Sequence, residues 1–180
     1  MTARTAKTLL LGHTVRFIVN PFKKGGDAAV RTDSQGGILM SGGKIEAIGT
    51  GHDLRSAHPQ AKVIDYCDKV LVAGFVDAHV HYPQTAIIAS WGKRLIDWLN
   101  TYTFPEEMRF DDPQYAAVIA ERYLDLALAH GTTALASYCT TSPASVSALF
   151  EAAAQRGLCV VAGKTCMARN APDGLIDTAQ

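Results

Sequence analysis

Val70–His81 reads VLVAGFVDAHVH, an apolar run broken only by Asp77, His79 and His81. Continuous rather than alternating apolarity predicts a strand covered on both faces, as in parallel sheets. The residues that follow fit such a sheet. After a long connection, residues 82–112, Asp112 is placed to cap a helix and Pro113 suits its first position. Ile119, Tyr123 and Leu126 form its apolar stripe, and Gly131 follows its last turn. Thr132–Cys139 (TTALASYC) reads as a second buried strand. Ser142-Pro143 opens a second helix that ends at Gly157, and Leu158–Met167 (LCVVAGKTCM) is a third strand. Strand, helix, strand, helix, strand at this spacing predicts a right-handed βαβ series, open or closed.

Upstream, residues 7–72 read as β structure. Lys7–Val19 (KTLLLGHTVRFIV) stops at Asn20-Pro21, and a loop (PFKKGGDAAVRTDSQ) runs up to Gly36. Gly36–Gly49 (GGILMSGGKIEAIG) places two short strands around Gly42-Gly43, a hairpin signal. So few strands do not close on themselves and need partners from elsewhere. The organisation predicted is a β segment over residues 1–69 and an α/β part over 70–180.

Composition narrows the function classes. The chain has 180 residues, 48% of them hydrophobic, too apolar for a disordered segment. Seventeen basic side chains balance seventeen acidic ones, so no overall field favours nucleic acid or an anionic membrane. No stretch approaches the roughly 20 apolar residues of a membrane span, and MTARTAKTLLLG has too short an apolar core for a secretory signal. Cys67, Cys139, Cys159 and Cys166 form no CxxC pair and sit mostly in apolar runs. They read as buried, reduced thiols of a cytoplasmic protein.

The histidine pair carries the chemistry. On a strand, residues i and i+2 share a face, which puts His79 and His81 about 6.6 Å apart at Cα. Two imidazole nitrogens at roughly 2.1 Å from one zinc ion lie within reach of that spacing. The pair also sits at the C-terminal end of the first parallel strand, the face on which α/β barrels build their active sites. Val80 points the other way and packs. Unpartnered imidazoles in an apolar strand are costly, and a metal satisfies both at once. Asp77, two residues before His79, has two readings: it orients a histidine, or it bonds backbone at the strand end.

Gly74–His81 (GFVDAHVH) resembles the first-strand motif G-F-x-D-x-H-x-H of the amidohydrolase superfamily, metal-dependent hydrolases on a (β/α)8 barrel. Ala73 stands where that superfamily often has proline, a departure at the strand entry. The longer run His79–Glu107 (HVHYPQTAIIASWGKRLIDWLNTYTFPEE) resembles the guanine deaminase family within it, and Gly163–Pro172 (GKTCMARNAP) resembles that family's third strand and following loop. The resemblance implies a TIM barrel whose first three strands are present, beside a small N-terminal β-sandwich. It implies one zinc ion per subunit, or iron, with His79 and His81 as two of its ligands. It assigns Gln84, Tyr82 and Pro83 to the wall that binds a small purine, in a homodimer. The other ligands of the superfamily, histidines on the fifth and sixth strands and an aspartate on the eighth, are expected beyond Gln180. So is a proton-shuttling glutamate on the fifth strand, so no catalytic residue is expected within the chain, the 180 residues being inactive alone. His13, His52, His58 and His130 are not placed to complete the site, and His130 is expected to meet helix carbonyls.

Gln84 has a carboxamide that both donates and accepts, which suits a purine edge carrying a carbonyl beside an N–H. A connection of some 30 residues is long for a compact domain and points to a functional cap. Its Trp91, Trp98, Tyr102 and Phe104 read as loop packing or a dimer contact. Arg169–Pro172 reads as a turn at the same barrel face. The neither-HxE-nor-PCxxC composition excludes the other zinc deaminase family. The rival readings are another amidohydrolase acting on an amino-substituted heteroaromatic ring, by deamination or dechlorination, and an inactive dimeric scaffold of the same fold.

Overall fold

The run 70–81 is two strands, not one. In the computed structural model, which describes residues 6–177, Val70 and Leu71 end one strand and Phe75 begins another, in a different sheet. The division between two compact units falls between Ala73 and Gly74. Gly74 is needed at the start of the second strand, because a Cβ there would lie 2.1 Å from Thr133 Oγ1. The Phe75 N–H then donates to the Gly131 carbonyl at 2.8 Å and sets the strand beside its neighbour.

The first unit holds β1 (Lys7–Phe17), short helical turns α1 (Pro21–Lys24) and α2 (Gly26–Ala29), β2 (Val30–Ser41), β3 (Lys44–Thr50), α3 (Gly51–Ala57) and β4 (Lys62–Leu71). Its sheet has the order β3-β2-β1-β4, with β1 and β4 parallel and the other pairs antiparallel. The hairpin falls at Gly42-Gly43, whose φ values of 57° and 75° lie in the left-handed region that glycine enters without strain. β2 begins earlier than the sequence predicts, since the long β1 supplies partners for Val30–Asp33 past a bulge between Gly12 and Thr14. The helix α3 was not foreseen. Its signal is Thr50, whose Oγ1 accepts from the Asp53 N–H at 3.2 Å.

The second unit holds β5 (Phe75–His81), β6 (Thr132–Tyr138) and β7 (Cys159–Gly163), all parallel in the order β5-β6-β7. Between β5 and β6 the long connection is largely helical. It contains a 3-10 turn (Tyr82–Ile87), α4 (Leu95–Trp98), a π turn (Leu99–Thr103), α5 (Phe104–Met108), a second 3-10 turn (Arg109–Asp111) and then α6 (Pro113–Ala129). The π turn sits where Pro105, lacking an N–H, interrupts the regular ladder. The helix α7 (Pro143–Arg156) joins β6 to β7 and ends at Gly157 in the left-handed conformation, φ 65°.

The core of this unit lies between the sheet and α6 with α7, built from Tyr82, Phe110, Ile119, Leu124, Leu135 and Leu149. Val80 packs against it, as the alternation predicts. The opposite face of the sheet is not covered by the described residues. Val76 there is 71% exposed and Val161 69%, so the expectation of cover on both faces holds for one. Of the four cysteines, all free, only Cys139 is buried. The apolar runs holding Cys159 and Cys166 lead to that open side and to a surface loop, which corrects the expectation of buried thiols. Among the described residues no helix is long and apolar enough to cross a membrane.

Asp112 caps α6, its Oδ1 accepting the Gln114 N–H at 2.8 Å. Asp112→Ala is therefore expected to lower stability by about 1 kcal/mol, and Asp112→Asn by much less. Urea midpoints of the full-length variants check this, and equal losses in both would show that the cap does not act as described.

Candidate metal and substrate site

Register decides which side chains meet at the end of β5. Asp77 pairs with Leu135 and Val80 with Ser137, both on the helix-covered side, whereas His81 pairs with Tyr138 on the open side. Three residues of β5 therefore span two of β6, a β-bulge at Ala78–His79. Asp77 holds the bulge, its Oδ1 accepting the His79 backbone N–H at 3.2 Å. The bulge puts Asp77 on the helix side, where it lines a cleft with Tyr123 and His130. It does not share the face of the histidines, and of its two readings the backbone bond is the one observed.

His79 and His81 come together on the open side. Their ring centroids are 5.4 Å apart at an interplanar angle of 53°. Tyr138, which the sequence did not single out, stacks on His81 at 4.7 Å and 16° and meets His79 at 5.1 Å and 54°. Partial burial, and then the neighbouring His79, lower the pKa of His81. That favours the neutral imidazole, the form that ligates metal. The separation suits two nitrogens at roughly 2.1 Å from one zinc ion, and among the described residues neither ring has a competing hydrogen bond. No group of three or more His, Cys, Asp or Glu able to hold a metal occurs among the described residues.

Of the three residues assigned to a substrate wall, only Gln84 lines the cleft of about 460 Å³ beside His79 and His81. Tyr82 is fully buried: its hydroxyl donates to the Ser145 carbonyl at 2.5 Å and its ring meets Phe110 edge-on at 5.5 Å. Burial pushes its phenol well above the ordinary range. Pro83 is buried beside it. Both side chains are buried, and neither lines this cleft. The 3-10 turn explains it: the chain bends as it leaves β5 and carries Tyr82 inward. Thr85 secures the turn by donating to the Tyr82 carbonyl at 2.6 Å.

The connection also brings in two carboxylates that sequence reasoning passed over, although adjacent acids after an aromatic run (TFPEE) were the available signal. Glu106 and Glu107 are each 6% exposed. Glu106 accepts from the Tyr115 hydroxyl and from Arg109 at 3.0 Å, and Arg109 lies 3.8 Å over the Tyr115 ring. Burial raises the pKa of Glu107, and the nearby Gln84 carboxamide opposes that rise. Phe104 is buried, Trp98 bonds Ser90 at 2.9 Å through Nε1, and Trp91 is 75% exposed. His130 bonds the Leu126 carbonyl at 2.9 Å, as expected for a helix end. Asn170, in the Arg169–Pro172 turn, takes a left-handed φ of 58°.

Residues 70–180 match the amidohydrolase family. The chain belongs to that family. Residues 36–61 match an imidazolonepropionase-like composite domain of bacteria. The guanine deaminase of Escherichia coli strain K12 is 41% identical over 154 residues, which cover 85% of this chain and 35% of that protein. The crystal structure of guanine deaminase from Bradyrhizobium japonicum superposes with a TM-score of 0.90 at 35% identity, over 96% of this chain and 38% of that one. Guanine deaminase from C. acetobutylicum, with guanine bound in its active site, superposes with a TM-score of 0.81 at 26% identity, over 95% of this chain and 39% of that one. The chain spans about a third of the length of the curated relatives it matches. In this amidohydrolase chain the histidine pair, Tyr138 and Gln84 all lie at or just past the C-terminal ends of the parallel strands β5 and β6.

Proposed function

We propose that this chain is the N-terminal part of a guanine deaminase, which converts guanine and water to xanthine and ammonia. The observation that carries the proposal is the convergence of His79 and His81 on one open strand face with Gln84 on the rim of the same cleft. The similarity to guanine deaminases supports it. In this reading β5, β6 and β7 are the first three strands of an eight-stranded barrel, and the sheet of the first unit completes a sandwich with strands from outside the described residues. The protein is a cytoplasmic homodimer serving purine catabolism.

His79 and His81 would hold one zinc or iron ion, with further ligands and the proton-shuttling acid beyond Gln180. When bound, the metal supplies Lewis acidity that makes water nucleophilic near neutral pH. Gln84 reads the purine edge, accepting from its N–H and donating to its carbonyl. The 3-10 turn carries that carboxamide to the cleft, and the helical connection lines one wall of it through Thr85, Ile88 and Trp98.

Gln84→Ala in the full-length enzyme is expected to cost about 1–3 kcal/mol of transition-state stabilisation, or roughly ten- to more than a hundredfold in kcat/KM for guanine. Metal content and thermal stability stay at the parent's values. The loss is smaller for a purine lacking the 6-carbonyl, which offers no matching pair. Steady-state kinetics on both substrates test the reading: equal losses would mean that Gln84 orders the loop and does not read the base.

A further inference from the structure

Tyr138 closes β6 opposite His81, and its ring, the His81 ring and the His79 ring touch pairwise at 4.7, 5.1 and 5.4 Å. A ligating histidine is ordinarily held by a hydrogen bond from its second ring nitrogen to a carboxylate or carbonyl. Neither imidazole has one among the described residues: the bond at His79 is made by its backbone N–H, and the Asp77 carboxylate that accepts it faces the helices. The orienting contact present is a flat one. With 16° between ring planes, Tyr138 blocks rotation of the His81 imidazole about its Cβ–Cγ bond, while its tilted contact with His79 spaces the second ring.

We propose that Tyr138 is a positioning residue for the histidine pair, its ring fixing the plane in which His81 presents nitrogen to a metal. This rests on the reading of His79 and His81 as ligands. The phenol hydroxyl has no part in it, so a phenyl ring suffices. Leucine, apolar but without a flat face, does not. Tyr138 is 48% exposed among the described residues and lies outside the helix-side core, so its replacement leaves that core alone.

Zinc affinity of the full-length protein, measured by chelator competition, separates the roles, with the visible spectrum of the cobalt-substituted protein as a second readout. Tyr138→Phe is expected to bind zinc within about twofold of the parent, and Tyr138→Leu about tenfold more weakly with an altered cobalt spectrum. Thermal midpoints of the zinc-free proteins stay alike. Should the leucine variant not fold, Tyr138→Met, equally without a flat face, carries the same expectation. Parental affinity and spectrum in the leucine variant, with zinc lost from His81→Ala, would overturn the positioning role and leave the ligand reading standing. A phenylalanine variant as weak as leucine would assign the effect to the hydroxyl and overturn it too. Stoichiometric zinc in His81→Ala would remove the ligand reading and the proposal together.

Discussion

Replacing His79 and His81 together by alanine is expected to strip the full-length protein of its metal, from about one ion per chain to none, and to abolish turnover with it. Catalytic zinc sites of this type rest on few protein ligands, so two lost imidazoles leave no competent set. The fold should survive. His79 is exposed and His81 half-buried, and neither ring fills the core. The thermal midpoint of the double variant should therefore match that of the parent treated with chelator, because both lack the stabilisation that a bound ion gives the native state. Metal analysis and melting curves, run on the same preparations, check both statements. Near-stoichiometric metal with normal turnover would show that the pair is structural.

Tyr82→Ala should produce the largest loss of stability in this unit, about 3–5 kcal/mol. The side chain is wholly enclosed, with an edge-on contact to Phe110, a tilted one to Tyr123 and a hydroxyl bonded to Ser145. Alanine leaves a cavity that several elements would have to collapse to fill. Tyr82→Phe keeps the ring and removes one hydrogen bond, for a loss of about 0.5–1.5 kcal/mol. Urea unfolding of the full-length variants measures both. Unchanged stability in the alanine variant, with a raised KM for guanine, would return Tyr82 to the substrate wall and contradict its place in the core.

These two neighbours on the chain, His81 and Tyr82, mark where local reading ends. The period of two along a strand is a property of the backbone itself, so HVH announces two imidazoles on one face before any partner strand is known. Helix punctuation is as local. Asp112-Pro113, Gly131 and Gly157 bound α6 and α7 because a cap, a ring-locked φ and a left-handed φ act within one or two residues. Gly42-Gly43 marks its hairpin for the same reason. The amidohydrolase motif was legible in the same short stretch, as was the placing of His79 and His81 on one face.

What lay outside the sequence is what depends on residues far along the chain. The apolar run 70–81 carries no mark of where one sheet ends and the next begins; that break follows from Val70 and Leu71 pairing with β1 and Phe75 with β6. Asp77 leaves the histidine face because β6, some 55 residues later, offers two positions where β5 spends three. Tyr82 turns inward because Phe110, Tyr123 and Ser145 enclose it there, and Tyr138 reaches the imidazoles only because parallel pairing sets it opposite His81. By itself the sequence determined which side chains alternate and where helices start and stop, since dihedral preferences and capping are settled within a turn. Tertiary structure alone decided which face is covered, which strand is bulged and which aromatic ring meets the histidines, because burial and register are properties of pairs of segments and not of either one.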